Sequence, residues 1–140
     1  MQKSTKTKPK NILIIDDDAI CAKVLGSFLT NMGYSNSIVA STGNDALKLM
    51  STKDFALVFL DLHLSDMSGI DFCHYYKKNC LHKNTPIICC SSSLVFITEK
   101  DLAKTCIEAG MDDFLHKPVS AEKLKEIIER WLPKRTFKTS

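Results

Sequence analysis

Carboxylates gather at the ends of apolar runs in this chain. The run Asn11–Ile15 ends in Asp16, Asp17 and Asp18. Forty-four residues after Asp17, the run Phe55–Leu60 ends in Asp61. A third run, Ile87–Cys90, ends in Ser91, and Lys117 stands just before Pro118. Buried strands that stop at carboxylates are costly unless the charge is offset. A hard cation, Mg²⁺ or Mn²⁺, supplies that offset, because Mg²⁺ takes one or two carboxylates and keeps water and phosphate oxygens as its other ligands. A carboxylate in such a place can attack phosphorus and form an acyl phosphate. The transferring phosphoryl group asks mainly for position and positive charge. Lys117 and Ser91 are the residue types that meet two of its oxygens.

These residues are far apart in sequence, so the fold must gather them. Ile12–Ile15 is expected as a strand. From Ala19 to Met32, apolar Val24, Leu25, Phe28, Leu29 and Met32 recur at helical spacing, with Gly33 as the stop. Ser37–Ala40 follows as a strand and Asn44–Met50 as a short helix. Phe55–Leu60 is continuously apolar, as a strand buried on both faces should be. Ile70–Asn79 is expected as helix, Ile87–Cys90 as strand, and Thr98 as the N-cap of a helix running to Ala109, with Asp101 in the capping-box position. Phe114-Leu115 makes a brief strand. Ser120 caps a last helix striped by Leu124, Ile127, Ile128 and Trp131, which Pro133 ends.

Strands alternating with helices imply an α/β fold, a doubly wound five-stranded parallel sheet with five helices, of flavodoxin-like (βα)5 type. In such open sheets the working site lies at the carboxyl ends of the strands. Asp16, Asp17, Asp61, Ser91 and Lys117 all fall there.

Composition sets the remaining bounds. The 140 residues suit one domain, divided into a basic flexible tail at 1–10, a body at 11–132 and a second basic flexible tail at 133–140. The net charge of +3 misleads, because seven lysines and arginines lie in the tails; the body sets 12 basic residues against 16 acids. Nucleic acid is not an expected partner. No apolar run approaches the roughly 20 residues that span a bilayer, and no signal peptide is visible, so a cytoplasmic protein is expected. The six cysteines form no C-x-x-C pair, and most of them read as small buried hydrophobes in a reducing compartment. Cys89 and Cys90 should point to opposite faces of the sheet.

Five segments together resemble a known family. ILIIDDDAICAKVLGSFLTNMGY, STGNDAL, LVFLDLHLSDMSG, TPIICCSS and GMDDFLHKPV, in this order, are similar to the motifs of response regulator receiver domains of two-component systems. The likeness covers roughly residues 11–132. It points to a single-domain, chemotaxis-regulator-like receiver whose sequence is nearest to hybrid-kinase types. It implies that Asp61 is the phosphorylated residue. Asp17 would ligate the metal directly, Asp16 mostly through a water, and the His63 backbone carbonyl would join them. Lys117 and Ser91 would hold phosphoryl oxygens, Ser91 and Phe114 would form the switch, and the bond before Pro118 would be cis. The implied donors are a histidine kinase or a histidine phosphotransfer protein. The implied downstream surface is the face of the fourth helix, fifth strand and fifth helix. No turnover of an external substrate is expected, only self-catalysed phosphorylation and dephosphorylation. The chain ends eight residues beyond Leu132, so no output domain is expected to follow; Met1 favours a stand-alone receiver over one excised from a hybrid kinase.

There are departures and rivals. Ser65 replaces the proline usual four residues after the phosphoacceptor, and Asp18 stands where many hybrid-kinase receivers have Asn. His63 and Ser93 occupy positions whose side chains tune dephosphorylation. Asp16-Asp17 alone also fits a helix-capping acid pair, and Phe114 alone fits core filling. The histidines show no ligand spacing and are expected to face solvent; Asp112-Asp113 is expected to mark a turn. The alternative function is a haloacid-dehalogenase-like phosphohydrolase using Asp16 and Asp18, which leaves Asp61 without a role. A flavin carrier shares the fold, but three aspartates after the first strand repel a flavin phosphate.

Overall fold

The computed structural model describes residues 11–79, 84–92 and 99–132. Its elements alternate: β1 (Ile12–Ile15), α1 (Ala19–Asn31), β2 (Ser37–Ala40), α2 (Gly43–Thr52), β3 (Leu57–Asp61), α3 (Gly69–Asn79), β4 (Ile87–Ser91), α4 (Glu99–Ala109), β5 (Asp113–His116) and α5 (Ala121–Trp131). Every strand is followed by a helix, which places each next strand parallel to the last. The sheet has five parallel strands in the order β2-β1-β3-β4-β5.

The period-two geometry of strands sorts the core into two layers. Leu13, Ile15, Val58, Leu60 and Cys89 face α2, α3 and α4, where Met50, Phe72, Tyr76 and Cys106 meet them. Ile12, Ile14, Phe59, Ile88 and Cys90 face α1 and α5, against Leu25, Leu29, Leu124 and Ile127. Cys89 and Cys90 thus enter opposite layers. Cys73, Cys89, Cys90 and Cys106 are buried, and Cys21 is half-buried. Cys80 lies outside the described residues, as do the tails, His82, Ser93, Thr98 and Pro133.

Boundaries moved where local chemistry outweighed hydrophobic pattern. The strand expected at Phe55–Leu60 is Leu57–Asp61, so Asp61 is a strand residue; Phe55 is buried but precedes the ladder. Ser91 likewise ends β4 rather than following it. The α1 stripe is Ala22, Leu25 and Leu29, leaving Val24 45% exposed. The cause is rotation: with 3.6 residues per turn, Ala22 shares the inner face with Leu25 and Leu29, and Val24 shares the outer one with Ile20, itself 75% exposed. Ser120 caps α5 by accepting the Lys123 N–H at 3.1 Å, and Gly33 closes α1 with φ +96°, where a Cβ is disfavoured. Among the described residues no helix is long and apolar enough to cross a membrane.

Candidate functional site: an acidic rim with one lysine

Strand register builds the site. Ile15 pairs with Leu60, and Leu60 with Cys89. One residue further along, Asp61 pairs with Cys90 and Cys90 with Leu115; next, Ser91 pairs with His116. Asp16, Asp61 and Ser91 therefore reach the same rim at the strand C-termini, where α/β sheets place ligands. These three are the buried polar side chains among the described residues. A fold that buries polar groups in one place has concentrated an electrostatic cost there.

The geometry shows what offsets it. Carboxylate oxygens of Asp16, Asp17 and Asp61 lie within 4.8 Å of one another, with Asp17 exposed. Lys117, one residue beyond β5, places its Nζ 2.8 Å from Asp16 Oδ2 and 3.5 Å from Asp61 Oδ2. The Asp18 N–H donates to Asp16 Oδ1 at 2.9 Å, and the His63 N–H to Asp61 Oδ1 at 3.2 Å. Burial works against the Lys117 charge, but the hydrogen bond to Asp16 and the charges of Asp16 and Asp61 outweigh it and raise its pKa. Burial pushes the Asp61 carboxyl above the ordinary range; the His63 N–H and Lys117 oppose this, and the Asp16 charge adds to it. Three carboxylates against one ammonium leave the cluster short of positive charge. A small, hard, oxygen-seeking cation fits this donor set.

The other expected residues fall as follows. The Ser91 hydroxyl donates to the Ser92 carbonyl at 3.1 Å, and the Lys117 N–H donates to the Ser91 carbonyl at 2.8 Å. Phe114 is half-buried, and its ring meets His116 edge-on at 6.2 Å between centroids. His116 is half-buried rather than solvent-facing, because this contact covers it; His63 and His74 are exposed. The Lys117–Pro118 peptide is cis. An apolar cavity of about 160 Å³ opens beside Asp16, Asp61 and Lys117, walled by Ile20, Cys21, Val24 and Pro118.

Asp18 does not belong to the cluster. Its Oδ1 accepts the N–H groups of Ile20 and Cys21 at 3.0 and 3.2 Å, making it the N-cap of α1. The helix-capping role weighed for Asp16-Asp17 is therefore taken by their neighbour. A hydrolase reading that pairs Asp18 with Asp16 loses its second carboxylate to this cap.

Three acids were missed by sequence reasoning. Asp112 is not merely a turn residue: its Oδ2 accepts the Ile87 N–H at 2.8 Å, and its own N–H donates to the Ile87 carbonyl at 2.7 Å, fixing where β4 starts. Asp113 lies within β5 and accepts from Arg130 at 2.5 Å and Trp131 at 2.7 Å, tying β5 to α5. Asp66 accepts the N–H groups of Gly43 and Asn44, both at 2.9 Å, at the start of α2. Short-range spacing carries no signal for these pairs, which lie 17 to 25 residues apart.

A family model described as the response regulator receiver domain matches residues 12–129. The chain belongs to the response regulator receiver family. A cyclic di-GMP phosphodiesterase of Thermotoga maritima is 36% identical over 130 residues, covering 90% of this chain and 32% of that protein. The receiver thus spans about a third of that relative's length. The chemotaxis protein CheY of Pseudomonas aeruginosa is 26% identical over 119 residues, covering 85% of this chain and 93% of CheY. Among solved structures, the receiver domain of NtrX from Brucella abortus superposes with a TM-score of 0.75 at 27% identity, covering 86% of this chain and 97% of that one. The protein is a phosphoryl-accepting receiver of two-component signalling. Receivers bind Mg²⁺ through an acidic pocket, interact with histidine kinases or phosphotransfer proteins and with effectors, and are not in general substrate-turnover enzymes. The aspartate cluster gives this receiver such a pocket.

Proposed function

We propose that Asp61 is the residue that takes the phosphoryl group, from a phosphohistidine on a histidine kinase or a histidine phosphotransfer protein. The observation that carries this is the convergence of buried Asp61 with Asp16, Asp17 and Lys117 on one rim. In the transfer, an Asp61 carboxylate oxygen bonds to phosphorus as the phosphorus–nitrogen bond of the donor breaks, and the electron pair leaves with the imidazole. Asp16, Asp17, Asp61 and the His63 backbone carbonyl hold Mg²⁺ (or Mn²⁺), which when bound neutralises charge on the phosphoryl oxygens. Lys117 pairs with a phosphoryl oxygen. In doing so its ammonium exchanges one of the two carboxylates it now bridges for the new, more highly charged group. Ser91 gives up its bond to the Ser92 carbonyl and donates to another oxygen.

Movement of Ser91 gives Phe114 room to turn inward, a packing event because Phe has no hydroxyl. The surface that answers is the face of α4, β5 and α5. Phe114, His116, Lys123, Glu126, Ile127 and Arg130 line a cavity of about 530 Å³ there, and Ile107 of α4 is exposed. A downstream protein on this face reads the phosphorylation state. The receiver body is residues 11–132, it works in the cytoplasm, and it turns over no external substrate beyond its own phosphorylation and dephosphorylation.

The test is intact-mass spectrometry after incubation with Mg²⁺ and acetyl phosphate. Wild type gains one hydroxylamine-labile phosphoryl group, and Asp61→Asn gains none. Equal phosphorylation of both proteins would overturn the assignment of Asp61. Steady hydrolysis of a phosphate ester, abolished by Asp16→Asn but not by Asp61→Asn, would favour a hydrolase.

A further inference from the structure

The loop between β3 and α3 carries His63, whose carbonyl the reading above assigns to the metal, so its position matters to the chemistry. Its base is closed tightly. The Gly69 N–H donates to the Leu62 carbonyl at 2.7 Å, and a Cβ on Gly69 would sit 2.7 Å from the Asp61 carbonyl oxygen. Midway, His63 and Ser68 form an antiparallel bridge, and the Leu64 N–H donates to the Met67 carbonyl at 3.2 Å. The tip, 65–67, begins with exposed Ser65, which does not fix its backbone as a proline does.

Something else holds the tip. Asp66 spreads its two carboxylate oxygens over consecutive N–H groups, Oδ1 to Gly43 and Oδ2 to Asn44, both at 2.9 Å. These are first-turn donors of α2, which have no partner within the helix. The positive end of the helix dipole favours a carboxylate here. Thr42 accepts the Asp45 N–H at 3.0 Å, so the two side chains divide the first-turn donors between them. Met67 presses on the same spot: a Cβ on Gly43 would lie 2.5 Å from its Sδ. The Gly43 and Asn44 N–H groups hold the Asp66 carboxyl below its ordinary pKa, as expected of a carboxylate they favour in its charged form.

We propose that Asp66 is a positioning residue for the metal site: by clamping the β3–α3 loop to the start of α2, it fixes the placement of the His63 carbonyl relative to Asp61. The proposal rests on the reading of the site given above. Asp66 touches neither the acidic cluster nor the reacting atoms, and acts through the loop backbone. Ligands held by a supporting hydrogen-bonded shell typically lose about 10- to 100-fold in metal affinity when that shell is removed.

The test uses the full chain as wild type, Asp66→Asn and Asp66→Ala, with Mn²⁺ as the probe and water-proton relaxation as the readout of binding. The backbone amide resonances of Gly43 and Asn44 report the clamp itself. Asp66→Ala is expected to bind Mn²⁺ about tenfold more weakly. Asp66→Asn, whose amide oxygen still accepts one of the two N–H groups, should fall between. At saturating metal, phosphorylation by acetyl phosphate should return to near the wild-type rate in both variants, which a general loss of structure would not permit. Wild-type Mn²⁺ affinity in Asp66→Ala, with the Gly43 and Asn44 resonances shifted, overturns the proposal and leaves the site assignment standing. No Mn²⁺ binding by the wild type overturns the site assignment itself, and the proposal with it.

Discussion

Lys117 Nζ and Asp16 Oδ2 lie 2.8 Å apart, although 101 residues separate them in sequence. The pair joins the residue just beyond β1 to the residue just beyond β5, across β3 and β4. Both side chains are largely shielded from water. Lys117 therefore serves as the resident cation of an acidic cluster.

Lys117→Met tests that role. Losing the ammonium leaves Asp16, Asp17 and Asp61 less compensated, so the apo protein should lose about 1.5–3 kcal/mol of stability, the usual range for a hydrogen bond to a charged group. The same loss makes the cluster more negative. Mg²⁺ should bind more tightly than to wild type, because a like charge that opposes the cation within the cluster is gone. Phosphorylation should nevertheless slow, because the phosphoryl oxygens lose their protein cation. Urea titration, calorimetric Mg²⁺ titration and acetyl phosphate kinetics check the three signs. Weaker Mg²⁺ binding in Lys117→Met would count against the charge argument.

Asp17 and Asp18 are neighbours with opposite expected behaviour. Asp17 is exposed, with an oxygen in the acidic cluster; Asp18 spends its carboxylate on the N–H groups of Ile20 and Cys21. Asp17→Asn should abolish most of the thermal stabilisation that Mg²⁺ gives, while changing apo stability little. Asp18→Ala should lower apo stability, because α1 loses its N-cap, and keep the Mg²⁺ response. Thermal melts with and without 10-fold steps in Mg²⁺ distinguish them. A lost Mg²⁺ response in Asp18→Ala would instead place that residue in the metal site.

The contrast between these two residues marks how far the sequence could be read. Order and type of the elements were legible because hydrophobic runs and helical spacing are local, and register then follows from packing. Asp16, Asp61, Ser91 and Lys117 were legible because each stands at or just past the end of an apolar run, and parallel strands bring those ends together. Asp18 stayed open between the rival hydrolase reading and a cap because a carboxylate before a helix suits both, and sequence alone does not show which N–H groups are free. Asp66, Asp112 and Asp113 stayed hidden for a different reason. Each satisfies donors on an element distant in sequence, and such pairing is decided by the packed backbone. Val24 belongs to the apolar pattern yet lies outside the buried stripe, because two residues along a helix turn it about half a circle away from Ala22.

Asp61 gives a pH dependence whose sign is fixed by burial. Its carboxyl is pushed above the ordinary range in the folded protein, burial being the main cause. The native state therefore holds its proton to a higher pH than the unfolded chain does, so without metal this group makes stability fall as pH rises from the unfolded pKa, about 3.9, through the higher folded one. Above that window the ionised group costs stability in full; below it the cost vanishes. Asp61→Asn should therefore be more stable than wild type at pH 7 in the presence of a chelator, with the advantage shrinking as pH falls through the window. Saturating Mg²⁺ should narrow or reverse the difference at pH 7, because the cation stabilises the charged form that only wild type has. Urea unfolding at a series of pH values, with and without Mg²⁺, measures both. An Asp61→Asn protein less stable than metal-free wild type at pH 7 would mean that the Lys117 and His63 contacts outweigh burial at this carboxylate.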